Sequence, residues 1–117
     1  MDLEKAGQSH HEWKVKFRVA MKNQEKMDVV RIASDSACDF GRWLHGEGRD
    51  QHGADPAFQE CLTRHAQFHQ EAARVAQAIN DGRLAQAEAM LGTGTAYSSA
   101  SYSTVAAIGQ LKSVIQK

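Results

Sequence analysis

The chain has 117 residues, in which fourteen basic side chains balance fourteen acidic ones, so its formal net charge is zero with neutral histidines. That length holds one shared core rather than two, and the balanced charge lacks the positive field that draws proteins to nucleic acid or anionic lipid. No apolar run nears the roughly 20 residues that cross a bilayer, and the opening MDLEKAGQSHHEWK has no apolar centre or cleavage site of a secretion signal. The expectation is a single domain over 1–117, complete or a piece of a larger protein, placed in the cytoplasm with no nucleic-acid or membrane contact.

Leu3, Ala6, His10, Trp13, Phe17, Ala20 and Met21 step by three and four along one face of an amphipathic helix, which ends or bends near residue 23. Met27, Val29, Val30 and Ile32 resume the apolar pattern. Ser34-Asp35-Ser36 offers capping oxygens for a short second helix carrying Ala37, Cys38, Phe40, Gly41, Trp43 and Leu44. Residues 46–54, GEGRDQHGA, are glycine-rich and without period, which predicts a surface connection.

Asp55-Pro56 is a start signal: the carboxylate caps free amides, and proline at the first helical position lacks a donor that would be unpaired anyway. Phe58, Cys61, Leu62, His65, Phe68, His69, Ala72, Val75, Ala76 and Ile79 form the next stripe, stopped by Asn80-Asp81-Gly82. A short segment from Arg83 to Leu91 follows. After Gly92-Thr93-Gly94, a last helix sets Tyr97, Ala100, Ser101, Thr104, Ile108, Leu111 and Ile115 on one side. With no period-two strand, the fold predicted is all-α: an antiparallel four-helix bundle with an additional short helix that carries Cys38.

His65 and His69 are four apart and therefore stack on one helix face, where two imidazoles can meet one ion. His10 also lies on a core stripe. An imidazole there needs a partner, because an unpaired buried polar group costs about 1 to 3 kcal/mol. Cys38 adds a soft thiolate, and one sulfur with three imidazoles is a closed tetrahedral set suited to Zn2+. Taken singly, an inward histidine is more often a hydrogen-bonded core residue, and a helical cysteine a small hydrophobe. Four of them on inward faces favour a shared site.

Cys61, His65 and His69 span too much of one helix to serve a single ion, so Cys61 reads as packing. His11 points about 100° away from His10, and His45 and His52 belong to the glycine-rich stretch. Asp35 and Asp39, close to Cys38, are candidates to accept a hydrogen bond from a ligand imidazole. His11-Glu12 begins like a zinc-protease helix, but Val15 stands where the second histidine should be. No catalytic site emerges: there is no G-x-S-x-G, no phosphate-binding loop and no C-x-x-C, and the chain is expected not to be an enzyme.

In order, His10-His-Glu-Trp13-Lys14, Cys38-Asp-Phe-Gly-Arg-Trp43-Leu and His65-Ala-Gln-Phe-His69 closely resemble the chemoreceptor zinc-binding domain family, over most of the chain. The resemblance implies a helical, homodimeric domain with one zinc per subunit on His10, Cys38, His65 and His69. It also implies attachment to a chemoreceptor signalling domain or a diguanylate cyclase in bacteria, and sensing of zinc or of oxidants such as hypochlorite. Cys38 would be the redox-sensitive group, since a thiolate is the form that reacts. Two other readings stand beside it, a purely structural zinc-stabilised dimerisation module and a hemerythrin-like di-iron bundle. The last helix, with Tyr97, Ser101 and Tyr102, and the outer side of the first are candidate dimer surfaces.

Overall fold

A computed structural model describes residues 1–115, and among them it contains eight helices and no strand. The first stripe becomes α1 (Leu3–His11) and α2 (Trp13–Asn23). Glu12 alone separates them and keeps helical angles (φ −78, ψ −8), so the two continue as one rod. Asp2 caps its start by accepting from the Lys5 N–H, and Gln24 ends it in the left-handed region (φ 55).

Next come α3 (Val29–Ala33), α4 (Asp39–His45) and α5 (Glu47–His52). Two expectations are corrected here. Cys38 is not inside the short helix but is its cap, with Sγ accepting from the Gly41 N–H at 3.3 Å, while Ser34–Ala37 form a turn. The glycine-rich stretch is not a plain loop. It holds α5, whose Gly48 lies under Trp43 so closely that a Cβ there would come within 2.8 Å of the indole.

The strongest sequence signals are borne out in α6 (Pro56–Asn80), capped by Asp55 with Pro56 in its first turn and followed by Gly82 at φ +76. Then come α7 (Leu84–Met90) and α8 (Ala96–Ile115). α6 is central: it packs against α8, α3, α7 and α2, while α1 lies on α8.

Direction follows from which residues share a cluster. Leu3 and Phe58, near the starts of α1 and α6, pack with Ile108 and Leu111 near the end of α8. Phe17 and Ile79, near the ends of α2 and α6, pack with Tyr97 at the start of α8. The α1–α2 rod and α6 therefore run together and α8 runs against both. Between α2 and α6 there is no single long helix but the three short ones. Tyr97, named above as a dimer candidate, is buried inside the chain, whereas Tyr102 is exposed. Among the described residues, no helix is long and apolar enough to cross a membrane.

Gly41 shows how tightly the cysteine segment is folded. A Cβ at this position would lie 1.7 Å from the Asp35 carbonyl oxygen, which is backbone and cannot swing aside. Gly41→Ala is expected to lower stability by about 1–3 kcal/mol in urea unfolding. Gly109→Ala, at an exposed position of α8 with nothing within 4 Å, is expected to raise it by about 0.5–1 kcal/mol. Equal shifts in the two variants would refute this account of the segment.

Candidate metal centre

The two hydrophobic clusters meet at His10. Its ring stands edge-on to Phe40 of one cluster and Phe68 of the other, with centroids 5.6 and 5.3 Å apart. Beside it are His65 and His69, presented by successive turns of α6, and Cys38, presented by the cap of α4. One ligand-type atom from each of the four lies within 4.8 Å of all the others, an arrangement that could hold a metal ion.

The distances suit a small ion. His65 Nε2 is 3.0 Å from His69 Nε2, and the Cys38 sulfur is 3.4 and 3.7 Å from these two nitrogens. A tetrahedron built on ordinary zinc–nitrogen and zinc–sulfur lengths has edges of about 3.3 Å between nitrogens and about 3.6 Å between nitrogen and sulfur.

Ring orientation gives a second, independent sign. His10 Nδ1 donates to the Ala6 carbonyl at 2.8 Å, one helical turn back. His69 Nδ1 donates to the Ile32 carbonyl at 2.7 Å, across to α3. With Nδ1 carrying the proton, each Nε2 is left as a lone pair, and the one on His10 is buried with no protein partner. Bare inward lone pairs beside a thiol are what a metal requires and what a packed core otherwise avoids. The donor set therefore fits the zinc expected from one sulfur and three imidazoles.

Burial sets the charge states. His10 is held down to about 4 and His65 down to about 2, both first by desolvation, with the neighbouring imidazoles adding to the shift at His65. His69 is lowered by burial, partly offset by its bond to Ile32. Burial raises the Cys38 thiol, opposed by the backbone N–H groups at the start of α4 and by Arg42. Three neutral imidazoles are ready ligands at neutral pH, whereas the thiol needs a cation to lose its proton.

All four residues singled out from the sequence are brought together. Asp35 and Asp39 do not contact the ligand imidazoles: Asp35 accepts from His45 Nε2 at 3.0 Å, and Asp39 pairs with Arg42. The orienting groups are instead the Ala6 and Ile32 carbonyls. Backbone acceptors carry no residue signature, so only the fold could reveal them. Cys61 stands apart in the core, its thiol pushed up to about 12 by burial and then by Glu60. His11 is exposed. No carboxylate joins the cluster among the described residues, which removes the bridging ligands that a di-iron bundle uses.

The comparison with known families decides the kinship. Residues 10–76, more than half of the chain, match the family described as "Chemoreceptor zinc-binding domain". The chain belongs to that family. The matched span begins at His10 and takes in Cys38, His65 and His69. No curated protein and no solved structure matches the chain closely enough to add to this assignment. A zinc-binding domain of chemoreceptor-type signalling is thus supported by the family and by the cluster together.

The lowered imidazole values carry a consequence for acid stability. A folded-state value below the unfolded 6.5 means that the unfolded chain binds more protons in between. The stabilisation is fully present above pH 6.5 and is lost as pH falls toward 4. Chelator-treated protein is expected to lose about 1.4 kcal/mol per pH unit for each of His10 and His65 over that window, measured by urea unfolding. A stability flat from pH 7 to 5 would show that the rings accept protons without leaving their places.

Proposed function

We propose that His10, Cys38, His65 and His69 ligate one Zn2+ per chain, and that the domain is a regulatory input in bacterial signal transduction and not a catalyst. The observation that carries this reading is the pair of pre-oriented rings, since two carbonyls already turn the His10 and His69 lone pairs toward the cysteine sulfur. In this reading the stretch from α3 to α5 takes the place of the fourth helix of an antiparallel bundle. The domain works in the cytoplasm as a homodimer, coupled to a chemoreceptor signalling domain or a diguanylate cyclase.

The ligands come from separate parts of the chain, and that is the basis of signalling. His10 belongs to the rod that lies on α8, Cys38 to the start of α4, and His65 and His69 to α6. Zinc, when bound, would tie these pieces together and keep Cys38 as a thiolate. The Cys38 sulfur is then the nucleophile. It attacks the chlorine of hypochlorous acid, the O–Cl bond breaks to release hydroxide, and water then displaces chloride and a proton from the sulfenyl chloride to leave sulfenic acid. A sulfenic acid is a poorer ligand, so α4 is freed from α6. His69 is still held to Ile32 by its own hydrogen bond.

Elemental analysis of protein purified without added metal is expected to give about one zinc per chain, with loss in Cys38→Ser and in His65→Ala. Metal-free wild type, or zinc indifferent to both changes, would sink the proposal. A structural dimerisation module is the competing reading, favoured by the near-complete burial of three of the four donors. In that case zinc stays in place under mild chelation.

Oxidant sensing has its own test. Titrating zinc-loaded protein with hypochlorous acid is expected to release zinc in step with oxidation of Cys38, followed with a metal indicator and by peptide mass spectrometry. Cys61 should stay reduced while it remains buried. Oxidised Cys38 with zinc retained would remove the redox role and leave the metal site standing.

A further inference from the structure

The centre opens to solvent along two grooves, and both reach the same sulfur. One, of about 620 Å³, lies between α2 and α3 and touches Cys38 and His69. The other, of about 440 Å³, lies between the start of α1 and the start of α4 and touches Cys38 and His10. His10, His65 and His69 are only 3%, 0% and 2% exposed, whereas Cys38 is half-buried. Of the four residues, Cys38 is therefore the one most open to a reagent in either groove.

Trp13 and Lys16 border both grooves. The Lys16 ammonium stands 4.6 Å from the centroid of the Trp13 ring, which holds a flexible cation at the divide between them. It is near enough to the centre for its charge to disfavour protonation of His10. Lys16 forms no ion pair among the described residues, whereas several neighbouring carboxylates are engaged elsewhere. Asp2 and Asp28 cap α1 and α3, Asp39 pairs with Arg42, and Glu25 accepts from Asn23.

We propose that Lys16, seated over Trp13, selects what reaches Cys38, favouring small anionic electrophiles over neutral ones. The role rests on the reading of Cys38 as the reactive thiolate and adds a specificity residue to it. An ammonium beside mostly apolar grooves raises the local concentration of anions and steers their approach, an effect that weakens with salt. Lys16 touches no reacting atom. It changes the encounter and not the bond-making step, so its signature is a difference between reagents of different charge.

The probes are an aromatic disulfide bearing carboxylates and an uncharged dipyridyl disulfide, reacted with the zinc-loaded chain. In each case the Cys38 sulfur attacks one sulfur of the reagent, the reagent's S–S bond breaks, and an aromatic thiolate leaves as the mixed disulfide forms. Lys16→Glu is expected to slow the anionic reagent about three- to tenfold while the neutral one stays within about twofold. Lys16→Met should fall between, and the contrast should shrink in high salt.

Equal effects on both reagents, or none, overturn the proposal, as does an adduct found by mass spectrometry on Cys61 instead of Cys38. Zinc content is measured on every variant beforehand, so a damaged centre is distinguished from an altered groove. If wild type carried no zinc, the metal reading would fall, and the ratio of the two rates on the free thiol would still decide the role of Lys16.

Discussion

Burying three imidazoles and a thiol at one point of a small core is the constraint on which this structure turns. Each imidazole nitrogen left without a partner costs about 1–3 kcal/mol, a large fraction of what holds a domain of this size together. The chain satisfies two of the six ring nitrogens internally, with the Ala6 and Ile32 carbonyls accepting from Nδ1 of His10 and His69. Nδ1 of His65 is buried without a partner, and the three Nε2 atoms gather around a sulfur. A cation at their centre would convert unfavourable burial into bonding and would couple metal binding to folding.

The rest of the fold serves this point. α6 is long and regular enough to hold His65 and His69 four apart without adjustment. The other two donors must be brought to it. His10 arrives on a rod anchored by Leu3 against α8 and by Phe17 against Tyr97. Cys38 arrives through a turn closed so tightly that the Asp35 carbonyl occupies the space of a side chain at position 41. That contact explains the glycine of the Cys38-Asp-Phe-Gly segment, and it ties the thiol to the Gly41 N–H. Phe40, the residue between, packs edge-on against His10 and His65. Cys38, Phe40 and Gly41 each have a separate physical task.

Much of this was legible because the signals were local and periodic. The Asp55-Pro56 start and the Asn80-Asp81-Gly82 stop bracket α6 correctly, and the inward places of His10, His65 and His69 follow from stripes of period 3.6. The parts that were not legible depend on contacts distant in sequence or on backbone atoms. Gly48 reads as flexibility in a glycine-rich run, yet it is there to admit Trp43. Asp35 reads as a partner for a ligand, yet it bonds His45, ten residues on. The capping of α4 by a thiol was hidden because Ser34, Asp35 and Ser36 are better caps by propensity. The need to aim sulfur at α6 overrides that preference.

The two cysteines show how position, not residue type, decides chemistry here. Both thiols are raised by burial, but Cys61 is fully enclosed and has the charge of Glu60 against it. Cys38 is half-buried and has backbone N–H groups and Arg42 on the side of its anion. A cation among the three imidazoles adds to the forces already favouring thiolate at Cys38 and leaves the enclosure of Cys61 unchanged. An oxidant that reacts with thiolates must therefore distinguish two identical side chains by the fields around them. Cys38 combines solvent access with contacts to His65 and His69 on another helix, so under the proposed function a chemical change at its sulfur would loosen the link between α4 and α6. At Cys61 the same change would have no path in and would disturb only packing.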